Sequence, residues 1–121
     1  AVGGWGFGGR PRVMGKTGRC VLVGGRWNGR QIVSKDWIEA STTGKRKATD
    51  GQSYGYLWWR GGLKFPWIGA LGRGGQSIRI VSNRDLVVTV TAGYYQDYSP
   101  RAFQMQYGVF KDVLRGISSP R

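Results

Sequence analysis

The chemistry open to this chain is narrowed first by what it lacks. It has no histidine, a single cysteine and six acidic residues in 121 positions. Without histidine the usual general base and the commonest metal ligand are gone. The acidic residues are too far apart in sequence to form a metal-ligand spacing, so no metal or other cofactor is expected. Cys20 lies beside Val21 and Leu22 and reads as a packed, inert thiol that cannot form an internal disulfide. Gly15-Lys16-Thr17 has the end of a phosphate-binding loop, but Arg10 stands where that loop requires glycine. Gly72, Arg73, Gly74, Gly75 and Gln76 form a glycine-rich segment that leads into an apolar run. On its own that cluster reads as the entry to a strand.

The elements that must position these residues centre on 54–95. Two apolar runs, 76–81 and 86–92, flank Ser82-Asn83-Arg84-Asp85. Turn residues between β-branched runs predict a hairpin. The second run is apolar on both faces, as a strand covered on each side must be. Residues 54–60, rich in aromatics, are the third expected strand. Before this sheet, a helix is expected over 11–23. Pro11 suits its first turn, Val13, Met14, Thr17, Cys20 and Val21 share a face, and Gly24-Gly25 ends it. A turn at Asn28-Gly29 follows. Ser34 then caps a short helix to about Ser41, with Asp36 in its first turn. Residues 42–53 read as a polar, mobile loop. A last helix opens after Pro100, with Phe103, Tyr107, Phe110 and Leu114 as its stripe, widened by Met105, Val109 and Val113. Residues 1–9 read as a glycine-rich loop anchored by Trp5 and Phe7, and 116–121 as a tail. The expected class is α+β: an antiparallel sheet of at least three strands, a C-terminal helix and one or two N-terminal helices, forming one domain over 1–121.

Charge sets the class of partner. Lys and Arg total 19 against 6 Asp and Glu, a net +13. Such a field draws nucleic acid, anionic membranes or acidic partners. The cations are spread along the chain, with only Lys45-Arg46-Lys47 as a run, which also fits scattered solvated groups. No apolar run approaches the ~20 residues of a membrane span. The start has neither an initiator methionine nor a signal-peptide layout.

Four blocks in register, GGRWNGRQIVSKDWIEAS, YGYLWW, GRGGQ and DLVVTVTAG, resemble the C-terminal part of β-lactamase-related serine hydrolases, the class C β-lactamase, esterase and penicillin-binding-protein-like superfamily. The resemblance implies a partial β-lactamase-like fold, with GRGGQ opening the strand that lines the active site. It implies that Arg73, Gly74 and Gly75 take the place of the family's third motif and touch substrate. It further implies that the backbone N–H of Gln76 is one donor of an oxyanion hole, meeting charge that develops only in the transition state. The substrate would be a small ester, amide or β-lactam, cleaved through an acyl-enzyme, in a family that is often periplasmic or secreted.

The departures are as informative. The family's Ser-x-x-Lys and its Tyr-x-Asn or Tyr-x-Ser motif are absent. Thr42-Thr43-Gly44-Lys45 has the spacing but is expected in a loop, with no helix N-terminus to activate it. Lys16-Thr17-Gly18 spells the third motif but falls in a predicted helix, not on a strand. Alone, the chain is expected to lack acyl-enzyme chemistry. Two other readings stand beside this one: a basic module that binds nucleic acid or another polyanion, and a self-assembling unit, a homo-oligomer formed through an uncovered strand edge.

Overall fold

The computed structural model describes residues 8–48, 51–97 and 99–118. Helix α1 spans Pro11–Leu22, with Pro11 at its first turn as its missing N–H allows. Strands β1 (Arg26–Trp27) and β2 (Arg30–Gln31) form a hairpin around Asn28-Gly29. Helix α2 covers Lys35–Thr42, and the Ser34 hydroxyl accepts from Trp37 N at 3.2 Å, the predicted cap. A six-stranded antiparallel sheet follows: β3 (Arg46–Lys47), β4 (Ser53–Tyr54), β5 (Trp59–Gly61), β6 (Trp67–Gly72), β7 (Gln76–Val81) and β8 (Leu86–Val90), adjacent in that order. Helix α3, Arg101–Ser118, closes the described chain.

The predicted hairpin over 76–81 and 86–92 is present, although its second strand ends at Val90. Its turn is one 3-10 turn, Ser82–Arg84, followed by Asp85 at φ 49°, a left-handed position that a short polar side chain tolerates. The third strand differs from expectation. Residues 54–60 do not form one strand; the chain reverses within them, between β4 and β5. Gly55 N donates to Trp58 O at 2.8 Å, and Leu57 takes φ +68°. The chain passes α2's exit closely there, where only glycine fits: a methyl group on Gly55 would lie 2.5 Å from Thr43 O. The neighbour of β7 is instead β6, which aromatic and β-branched content did not mark because Gly69, Ala70 and Gly72 dilute it. Within 42–53, Arg46–Lys47 pairs as β3 rather than joining a loop. Trp5 and Phe7 lie outside the described residues, and α3 runs into the expected tail as far as Ser118.

Strand alternation sorts the sheet into two faces. Trp67, Val81 and Val88 point to α3 and form the core with its Phe110 and Leu114. Ile78 and Val87, on the opposite face, receive α1. That docking is made by glycine: a methyl group on Gly18 would fall 2.6 Å from Val87 Cγ1 and 2.8 Å from Ile78 Cγ2. The predicted contact stripe of α1 is therefore turned; Val13 is 44% exposed and Thr17 is exposed. The stripe of α3 is turned as well. Phe110 and Leu114 are buried as expected, but Phe103 and Val109 are each 43% exposed, and Ala102 and Gln106 take the inner line. The cause is Arg79, fully buried on β7, whose Nη1 donates to Gln106 Oε1. A buried charge needs an acceptor, and that need rotates the helix away from its most apolar side.

Candidate active site

The predicted site residues sit where β6 turns into β7. Register places Gly72 opposite Gln76, so Arg73, Gly74 and Gly75 are the turn itself and β7 begins at Gln76. Gly74 and Gly75 adopt φ +84° and +94°, which side chains disfavour. Close contacts reinforce the need: a methyl group on Gly74 would lie 2.8 Å from the Tyr95 ring. Tyr94 N donates to Gly74 O at 3.1 Å, which fixes the chain leaving β8 against this turn.

The site residues divide between two concavities. Gln76 lines a groove of about 360 Å³ with Pro11 and Met14 of α1 and with Thr91, Ala92 and Tyr95 beyond β8. Arg73, Gly74 and Gly75 line a cavity of about 270 Å³ that opens toward Asp97, Ser99 and Gln106 at the start of α3. Only Gln76 therefore borders the α1 side. A third cavity, about 390 Å³, lies at the opposite end of β6 beside Arg60, Trp67 and Asn83 and contains none of the predicted residues.

Around Gln76 the polar atoms are paired. Its Oε1 accepts from Ala92 N at 3.0 Å, and its Nε2 donates to Tyr95 Oη. The side chain thus ties the exit of β8 to the start of β7, leaving the groove to be lined largely by backbone and apolar surface. Sequence reasoning singled out the Gln76 backbone and missed both partners; the Tyr94-Tyr95 pair, a few residues beyond the last strand, was the available signal for one of them. In the other cavity, Ser99 N donates to Asp97 Oδ1 at 2.8 Å. That hydroxyl-bearing residue, through its side chain and its backbone, and then Arg101 hold the Asp97 carboxyl below the usual carboxylate range.

The remaining motifs are structural. Thr42 and Thr43 close α2, and each hydroxyl donates at 2.7 Å to a helix carbonyl, of Ile38 and Glu39. They stand at the negative end of the helix, the wrong end for stabilising an attacking oxyanion. Lys16, Thr17 and Gly18 lie inside α1, on no strand. Cys20 is half-buried. Among the described residues no cluster of His, Cys, Asp and Glu could hold a metal, and no helix is long and apolar enough to cross a membrane.

No known protein family matches the sequence, and no curated protein does. Solved structures do. A putative 6-aminohexanoate-dimer hydrolase from Bacillus anthracis superposes over 90% of this chain with a TM-score of 0.65 and 19% identity. A penicillin-binding protein homologue from Caulobacter crescentus superposes over 77% with a TM-score of 0.53 and 19% identity. The chain spans 30% and 29% of the length of these two proteins. The helices and the antiparallel sheet of the described residues, with the C-terminal helix, therefore form an α+β partial fold of the β-lactamase-like kind.

Proposed function

We propose that the chain is the C-terminal portion of a β-lactamase-like serine hydrolase and supplies one wall of its active site. The observation that carries this is the Gln76 groove: a strand start preceded by two left-handed glycines, faced by the first turn of α1, in a fold shared with two β-lactamase-like proteins. In this reading the Gln76 N–H is one oxyanion donor, and Arg73, Gly74 and Gly75 shape the substrate-facing turn. The attacking serine and its lysine come from polypeptide outside these 121 residues. Ester or amide bonds, β-lactams included, are the substrates such a site would open through an acyl-enzyme.

The test has two arms. The chain alone, given a nitrophenyl ester and a chromogenic cephalosporin, gives no burst and no turnover above the buffer rate. The longest open reading frame that contains the chain, expressed whole, takes up a fluorescent penicillin or fluorophosphonate at a serine in a Ser-x-x-Lys tetrad. A covalent adduct on the chain alone, or a full frame without that tetrad, overturns the proposal.

A further inference from the structure

One segment of the molecule carries far more charge than a wall of a hydrolase site requires. From Ala1 to Lys35 the sequence has Arg10, Arg12, Lys16, Arg19, Arg26 and Arg30 before Lys35 and not one acidic residue. The fold places these six cations along α1 and the β1–β2 hairpin that follows it. Arg12, Lys16 and Arg19, at i, i+4 and i+7, stand on one exposed side of α1, and Arg10 precedes its first turn. Gly18 is set at a different angle around the same helix and takes the sheet contact, so the cations are free of that interface. The β1–β2 hairpin adds Arg26 and Arg30, both exposed, at the other end of the helix. It is held there by Gly25 N donating to Cys20 O at 2.8 Å and by Gln31 Nε2 donating to Gly24 O at 2.8 Å. Among the described residues none of the six lies in an ion pair.

We propose that this ridge binds the phosphate backbone of nucleic acid. From Arg12 to Arg19 the helix rises about 10 Å. One DNA strand presents a phosphate every ~3.4 Å of axis, so about three phosphates lie along the three side chains. Five of the six cations are arginine, whose planar fork matches phosphate in two parallel hydrogen bonds. A membrane surface is the poorer fit. An interfacial helix inserts its apolar face, and the inner side of α1 is already committed to Ile78 and Val87. Trp37 and Tyr56, an exposed aromatic pair, stack on each other with ring centroids 5.8 Å apart, so base stacking is not the main term. Binding is then electrostatic and indifferent to sequence. This surface stands apart from the hydrolase reading and survives its failure.

The experiment is fluorescence anisotropy of a labelled mixed-sequence DNA duplex with the whole chain, from 50 to 200 mM salt. Six neutralised phosphates give a log–log slope near −5, about a 10³-fold loss of affinity over that range. Arg12→Gln, Lys16→Gln and Arg19→Gln together bring the slope to about −2.7 and the loss to about 40-fold. Glutamine keeps the helix, and circular dichroism verifies the fold. Lys111→Gln, on α3, leaves the slope unchanged if position matters rather than net charge. The proposal is overturned by no binding at 50 mM salt, by a triple variant that binds like the parent, or by a Lys111 variant that weakens binding as much. Binding to phosphatidylserine vesicles without binding to DNA overturns it too.

Discussion

Replacing Arg79 by an apolar residue of similar reach is expected to leave the fold at least as stable, even though the side chain has no exposed surface at all. The guanidinium carbon lies 4.8 Å from the Trp67 ring, 5.0 Å from Phe110 and 5.2 Å from Tyr107. Nη1 donates to Gln106 Oε1 and, at 3.3 Å, to Ser77 Oγ. Among the described residues Nε and Nη2 have no partner and no carboxylate pairs with the group. Desolvation pushes its pKa down from the ordinary arginine range to about 10, with attraction to Tyr107 opposing. The shift corresponds to about 3 kcal/mol of cost to the charged form. The folded state holds this proton less tightly than the unfolded chain does, so the cost is complete below about pH 10 and eases only as pH climbs from there toward the ordinary arginine value. Across pH 6–9 it is constant.

Arg79→Met removes that cost together with ring contacts worth about 1–2 kcal/mol. It also strands the buried Gln106 amide at about 1–3 kcal/mol. The single variant is therefore expected near the parent. Arg79→Met with Gln106→Leu is expected to be about 1–4 kcal/mol more stable, as when a buried charge gives way to well-packed hydrophobes. Arg79→Ala, which leaves a void among three rings, loses more than about 2 kcal/mol. Urea unfolding followed by tryptophan fluorescence at pH 7 measures all three. A double variant less stable than the parent by more than about 1 kcal/mol refutes the reasoning, because the aromatic cage would then be outweighing desolvation.

Other outcomes follow from single contacts. Gly18→Ala improves helix propensity by about 1 kcal/mol yet lowers stability by about 1–3 kcal/mol, because its methyl group meets Val87 at 2.6 Å and Ile78 at 2.8 Å; a raised melting temperature would show that α1 can lift off the sheet. Gln76→Ala frees Ala92 N and Tyr95, so amide exchange at Ala92 should quicken while exchange at Val88 stays slow; equal acceleration at both would mean global loosening instead. Exposed Trp37, Tyr56 and Leu57, at 54%, 54% and 68%, favour self-association, and light scattering that returns 13.4 kDa at every concentration would exclude it.

The sequence by itself settled some local elements and not others, such as β6. Pro11 and Gly24-Gly25 bounded α1, Ser34 capped α2, and β-branched alternation around Ser82–Asp85 located the β7–β8 hairpin. These are decided within a few residues by backbone preference and hydrogen-bonding geometry, so composition exposes them. The glycines marked the entry to β7, but the groove beside Gln76 was not legible, because Met14 and Tyr95 come to it from distant parts of the chain. Which face each helix presents was decided only by tertiary structure. Gly18 reads as a helix weakener until β8 comes within van der Waals reach, and Gln106 reads as solvent-facing until Arg79 is buried beneath it. Neither partner is near in sequence, and an interaction between distant residues leaves no mark on the local pattern of either.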